Sequence, residues 1–222
     1  MMSKRLLFFL SACGFFLLFL AFSFLVHKNL FTQFDFNTTV HLQDRIGRNW
    51  DREFSWFSEL GSFEVMLVFL IALIVVTRRW LAGAVMFVLF GGFHLIEIFG
   101  KYMVDHPPPP HFMLRTKNMV DFPQLHVSAD FSYPSGHAGR TAFIAVILLV
   151  LFWQSKRLPR WAKVALTCFV ITYDITMVVS RVTLGEHWTS DVIGGTLLGI
   201  ALGLTASLFL IGKDHVTHRI SK

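Results

Sequence analysis

The sequence predicts an all-α polytopic membrane protein: a six-helix transmembrane bundle, one domain over residues 1–222, with its functional end on the extracytoplasmic side. Three observations carry this. Hydrophobic residues make up 54% of the 222 and charged residues 15%, against about 25% charged in an ordinary soluble domain. The apolar residues fall into six runs. The polar residues capable of chemistry cluster where those runs end. A soluble fold of this size would expose large apolar patches, so a soluble enzyme, a disordered chain and a coiled coil are all disfavoured. Cys13 and Cys168 both lie in apolar runs and supply neither a disulfide framework nor a metal-ligand spacing. The net charge is +6. In a membrane chain the position of the charges outweighs their sum, so nucleic acid is not expected as a partner.

A membrane-crossing helix needs about 20 apolar residues. Candidate spans run near 6–26, 63–77, 81–99, 138–154, 162–180 and 190–211. The first follows Met-Met-Ser-Lys-Arg, as a signal peptide would. Its apolar run is too long for that reading, and no clear small-residue cleavage site follows. The second and fourth are short and need flanking polar residues to complete them. Lys4 and Arg5 precede the first span, and Arg78 and Arg79 separate the second from the third. Lys156, Arg157, Arg160 and Lys163 separate the fourth from the fifth, and Lys213, Arg219 and Lys222 follow the sixth. Six crossings put all four clusters on one side, which the positive-inside rule makes cytoplasmic, with both termini there. In the first outward loop Ile46, Trp50, Phe54 and Phe57 recur at helical spacing. They predict an amphipathic helix, either on the outer interface or packed as a cap on the bundle. Gly195, Gly199 and Gly203 recur every four residues in the sixth span, which suits close packing within the bundle. Residues 107–110 are four consecutive prolines, a stiff extended piece. No internal repeat of transporter type is present.

Three pieces at the outward ends of spans carry the chemistry. Lys101 opens Lys-Tyr-Met-Val-Asp-His-Pro. Pro134-Ser135-Gly136-His137 leads into the fourth span. Ser180-Arg181, His187 and Asp191 connect the fifth span to the sixth. His187 and Asp191 are four apart and share a helical face. The carboxylate can fix one imidazole nitrogen and leave the other free to attack. Arg181 offers a planar fork for two phosphate oxygens. Ser135 and Gly136 at a helix start offer a hydroxyl and free backbone N–H groups, and His137 adds an acid. This set suits a phosphate-directed nucleophile better than a metal site.

These pieces resemble the signature of the type 2 phosphatidic acid phosphatase family: a Lys-containing piece ending in Arg-Pro, then Pro-Ser-Gly-His, then Ser-Arg-x5-His-x3-Asp. The last two match in full and in order, over residues 101–191. The first departs, because the expected arginine falls within Pro107–Pro110. Arg140, one turn after His137, is the favoured substitute, and Arg115 is the alternative. The resemblance implies a membrane-bound hydrolase of lipid phosphates, of the undecaprenyl pyrophosphate, phosphatidylglycerol phosphate or phosphatidic acid type, working without metal or cofactor; the short cytoplasmic loops and compact size suggest a bacterial inner membrane. His187 would be the nucleophile, Asp191 its orienter and His137 the acid and base. Lys101, Ser135, Gly136, Arg181 and Arg140 would hold the phosphate. A phosphotransferase on the same scaffold and a non-catalytic six-span scaffold are the competing readings. Transport is disfavoured because the polar residues crowd one end rather than the midplane.

Within the third span, His94, Glu97 and Lys101 share a face. Glu97 either pairs with Lys101 or Arg140 and aims it at phosphate or makes a structural hydrogen bond that locks two helices, and His94 is expected to make such a structural bond. Asp174, two turns below Arg181, reads as a buried helix-to-helix bond. His27, His111, His126, His215 and His218 read as surface or loop residues.

Overall fold

A computed structural model describes residues 3–117 and 131–211. Lys213, Arg219, Lys222, His126, His215 and His218 lie outside the described residues. The chain runs through α1 (Lys4–His27), α2 (Thr32–Arg45), α3 (Asp51–Glu59), α4 (Phe63–Thr77), α5 (Trp80–Met103), α6 (Gly136–Gln154), α7 (Arg160–Thr183) and α8 (Thr189–Ser207). One-turn 3-10 helices at Arg48–Trp50 and His111–Met113 lie in the connections. Helices α1, α5, α6, α7 and α8 are each long and apolar enough to cross a membrane. The chain is an integral membrane protein with an all-helical bundle.

Helix α4 matches the expected second span but is only 15 residues long. At 1.5 Å per residue it reaches about 22 Å, short of a hydrocarbon core of about 30 Å. The 3-10 turn and α3 meet α4 at a 47° bend, and the two pieces together make the sixth candidate crossing. The amphipathic stretch therefore takes a different form from the expected one. Ile46 ends α2 in an extended conformation, so it does not share a helix with Phe54 and Phe57. Helix α3 packs on α7 through Phe57 and Tyr173, with ring centroids 5.1 Å apart, while Trp50 and Trp56 stay exposed. Helices α5 and α7 also run a turn beyond the expected ends. Lys101 and Arg181 thus belong to last helical turns rather than to loops.

Helix α6 is central and packs against α4, α5, α7 and α8. Its closest neighbour is α8, and the glycine stripe is the reason. A Cβ on Gly199 would collide with the Gly139 carbonyl and come within 3.0 Å of the Ala142 Cβ; one on Gly195 would collide with the Ser135 carbonyl. The stripe therefore serves packing within the bundle. Leu70, Phe90, Phe143 and Ile147 form the core between α4, α5 and α6. Phe19, Phe93, Tyr133 and Leu198 fill the space between α1, α5 and α8. Tyr133 is fully buried, and its hydroxyl lies 2.8 Å from Ser23 Oγ, so it is a packing residue.

The end opposite the sequence motifs is tied by arginines. Arg5 donates to the Leu208 carbonyl (3.0 Å) and Arg79 to the Leu210 carbonyl (3.0 Å). These carbonyls follow the last turn of α8, where backbone acceptors have no helical partner and cations are favoured.

Candidate active site

Three helix ends meet at the motif end. The close α6–α8 crossing brings the start of α6 onto the start of α8, and the Ser135 N–H donates to the Asp191 carbonyl (3.0 Å). Gly100, in the last turn of α5, lies against Pro134; a Cβ there would sit 2.6 Å from Pro134 Cδ. The α7–α8 connection is a tight turn. Gly185 takes a positive φ of 71° beneath the Met113 carbonyl, and the His187 N–H returns to the Arg181 carbonyl (3.3 Å). His187 therefore sits just before α8, with Asp191 in the first turn.

Asp191 is fully buried, and its Oδ2 accepts the Trp188 N–H (2.9 Å). The same oxygen lies 3.2 Å from His187 Nδ1. The backbone thus holds the carboxylate, and the carboxylate holds the imidazole. His187 Nε2 makes no hydrogen bond among the described residues. Burial, with Arg181, Lys101 and Arg140 nearby, holds the His187 pKa well below its usual value, so the ring is neutral near pH 7. His137 has the cations Arg181, Arg140 and Lys101 and the His187 imidazole as its neighbours. The two imidazoles and three cations occupy one region.

The cations differ in their commitments. Lys101 is half-buried and makes no ion pair or hydrogen bond among the described residues. The Ser135 hydroxyl is buried and unpartnered there. Arg140 is buried and already held: its Nη1 donates to Glu97 Oε2 (2.8 Å) and its Nε to the Gly61 carbonyl (3.2 Å). Glu97 Oε2 also lies 3.2 Å from His94 Nδ1, so His94 bonds within its own helix. Gly136 leaves no room for a side chain, because a Cβ would overlap Glu97 Oε1. Arg181 pairs with Glu186 and donates to Ser58 Oγ, while its Nε is buried and unpartnered among the described residues. Arg115 is spent elsewhere, donating to the Gln43 and Ile46 carbonyls. Asp174 faces Thr141 rather than His94.

Two buried titratable residues beside the site escaped the sequence reading. Asp35 on α2 is 1% exposed and His106 is 4% exposed. His106 lies five residues after Lys101, inside a stretch already singled out; Asp35 sits between Phe34 and Phe36 in a segment read as loop. Among the described residues no group of three His, Cys, Asp or Glu is disposed to hold a metal ion.

The fold and site define an integral-membrane helical bundle, one end of which gathers a carboxylate-held histidine, a second histidine and several cations. The chain belongs to the PAP2 superfamily, whose family model matches residues 79–213, more than half of its length. It is 31% identical over 127 residues to phosphatidylglycerophosphatase B of Bacillus subtilis (strain 168), covering 56% of each chain. It is 34% identical over 99 residues to undecaprenyl-diphosphatase of Sulfolobus acidocaldarius, covering 45% of this chain and 41% of the relative. These matches span about half the length of the relatives. The crystal structure of a transmembrane PAP2-type phosphatidylglycerolphosphate phosphatase from Bacillus subtilis has a TM-score of 0.71. It is 21% identical and covers 92% of this chain and 98% of that one; at that identity the likeness is one of fold.

Proposed function

We propose that the protein is a metal-independent membrane lipid phosphatase that hydrolyses a lipid phosphomonoester or diphosphate through a phosphohistidine. The observation that carries the reading is the 3.2 Å contact between His187 Nδ1 and an Asp191 carboxylate that is itself fixed by the Trp188 N–H. The activities for which the relatives are named, a phosphatidylglycerophosphatase and an undecaprenyl-diphosphatase, support the substrate class.

In the first step His187 Nε2 attacks phosphorus. An N–P bond forms as the P–O bond to the leaving group breaks, and His137 delivers a proton to the departing oxygen. Asp191 stabilises the positive charge that grows on the His187 ring. In the second step water attacks the phosphohistidine with His137 as base, releasing phosphate and restoring His187. Lys101, the Ser135 hydroxyl, the Gly136 N–H and the Nε edge of Arg181 hold the phosphoryl oxygens, where transition-state charge is spread. Arg140, held by Glu97, adds positive charge beneath the site and stands in for the arginine missing from the first motif. The site lies on the extracytoplasmic side of the membrane, where a lipid headgroup meets water.

The test is phosphate release from a panel of lipid phosphates by the purified full chain, with no lipid acceptor present. The expected result is release that is insensitive to chelator and lost by at least 100-fold in His187→Ala. Wild-type turnover by His187→Ala would refute the assignment, and so would activity abolished by chelator and restored by a divalent metal. Phosphate transfer only on addition of a lipid acceptor would make the protein a transferase.

A further inference from the structure

Behind Asp191 lies a second polar cluster that the proposed reaction does not use. Asp35 Oδ1 accepts the Ser190 N–H (2.8 Å) and Asp35 Oδ2 accepts the Ser190 hydroxyl (2.7 Å). Ser190 is the residue before Asp191. His106 Nε2 lies 3.1 Å from Ser190 Oγ and 3.6 Å from both Asp35 Oδ2 and Asp191 Oδ1. The loop that bears His106 is stapled at both flanks. The His106 carbonyl accepts the Ser132 N–H (3.0 Å) and hydroxyl (3.1 Å), and the Pro107 carbonyl accepts Trp188 Nε1–H (2.7 Å).

The proton positions follow from this geometry. The Ser190 hydroxyl gives its proton to Asp35, so its oxygen can only accept, and the donor in reach is His106 Nε2–H. Burial keeps the His106 imidazole neutral, with a pKa lowered to about 4. The other nitrogen, Nδ1, is buried without a partner among the described residues, which suits a bare acceptor far better than a stranded N–H. His106 Nε2 also stands 3.6 Å from Asp191 Oδ1, the carboxylate oxygen that His187 does not occupy and that accepts no hydrogen bond among the described residues. Asp191 then has an imidazole against each oxygen.

We propose that Asp35 and His106 are positioning residues for Asp191: through Ser190, Asp35 fixes the His106 tautomer, and the His106 Nε2–H holds the free carboxylate oxygen so that the other stays on His187. Asp35 lies outside the residues matched by the family model, on a helix that is not among the candidate spans. The proposal gives α2 a purpose in the site. It rests on the reading of His187 and Asp191 as nucleophile and orienter.

The isosteric Asp35→Asn inverts the chain of donors. Its amide donates where the carboxylate accepted, so the Ser190 hydroxyl turns toward His106, whose Nε2 must then accept. The N–H facing Asp191 is lost. His106→Phe removes the donor with little change of shape, whereas His106→Gln keeps an N–H near the Nε2 position. The experiment measures kcat and KM for the best lipid phosphate of the panel, with the full chain in detergent micelles. Size-exclusion profile and thermal midpoint are recorded for every variant. The expected result is a kcat about 10-fold lower in Asp35→Asn and His106→Phe, with KM within about 2-fold and His106→Gln recovering most of the lost kcat. Wild-type kcat in Asp35→Asn and His106→Phe, with His187→Ala dead, would overturn the positioning role and leave the phosphatase reading standing. Equal loss in all three variants, tracking a lowered thermal midpoint, would reduce the cluster to a structural one and overturn the proposal as well. Activity in His187→Ala would remove the phosphatase reading itself, and this proposal with it.

Discussion

At the scale of single residues, the site is built by giving each polar group one duty. Asp191 spends one oxygen on the Trp188 N–H and His187, and Glu97 spends one on Arg140 and His94. Lys101 and the Ser135 hydroxyl keep their capacity for an anion. His106 also sets a pH dependence whose sign can be worked out. Burial lowers its folded pKa to about 4 from the ordinary histidine value of 6.5, so between those values the unfolded chain binds a proton that the folded chain refuses. The stabilisation is fully present above about pH 6.5 and is lost as pH falls toward 4, by up to roughly 3 kcal/mol. Asp35 works in the opposite sense, because burial raises its pKa and acid relieves the cost of its charge. The wild-type slope is therefore a difference. His106→Gln removes the His106 part, and the gap between the two proteins' thermal midpoints should narrow from pH 7 to pH 4. An unchanged gap across that range would refute the assignment. Much of this candidate site was legible in the sequence, since Ser135, Gly136 and His137 are consecutive, Arg181, His187 and Asp191 share one short stretch, and both stretches resemble a known family signature. Asp35 and His106 were not, because their partner Ser190 is 155 and 84 positions away, and no local pattern encodes such a contact.

At the scale of elements, apolar length made the long spans readable, while α2 and the α3–α4 bend were hidden. Helix α2 reads Thr-Gln-Phe-Asp-Phe-Asn-Thr-Thr-Val-His-Leu-Gln-Asp-Arg. It has no wide apolar stripe, because its buried positions are Thr39 and Asp35, and Asp35 is satisfied by Ser190 rather than by lipid. The tight α6–α8 crossing was readable in the glycine stripe, and it makes a quantitative prediction. A Cβ at Gly199 would collide with the Gly139 carbonyl, whereas one at Gly91, inside α5, meets nothing within 4 Å. Gly199→Ala should therefore lower stability by about 1–3 kcal/mol and, by separating Ser135 from Asp191, lower phosphatase activity too. Gly91→Ala should gain about 0.5–1 kcal/mol from helix propensity alone. Thermal midpoints in one detergent check both. Equal effects would show that the stripe does not set the helix separation.

At the scale of the whole molecule, the two ends of the bundle carry different charge chemistry, and this decides which way the chain faces. One end bears Lys4, Arg5, Arg78, Arg79, Lys156, Arg157, Arg160 and Lys163 in short connections. Arg5 and Arg79 fold onto the carbonyls that follow α8, so this basic end is a structural unit as well as a topological signal. The other end holds the histidines, with cations inside the bundle and acidic partners around them. We propose, from the retention of short basic loops in the cytoplasm, that the site faces outside. The prediction uses a chain in which Cys13 and Cys168, both exposed, are replaced by Ala. Single cysteines then replace Lys156 at the basic end or Glu53 on α3, both exposed positions. In intact cells a membrane-impermeant maleimide should label Glu53→Cys at once, and Lys156→Cys only after the membrane is permeabilised. The reverse pattern would put His187 and Asp191 in the cytoplasm. The substrate would then have to be a lipid phosphate of the inner leaflet, with the chemistry of the site unchanged.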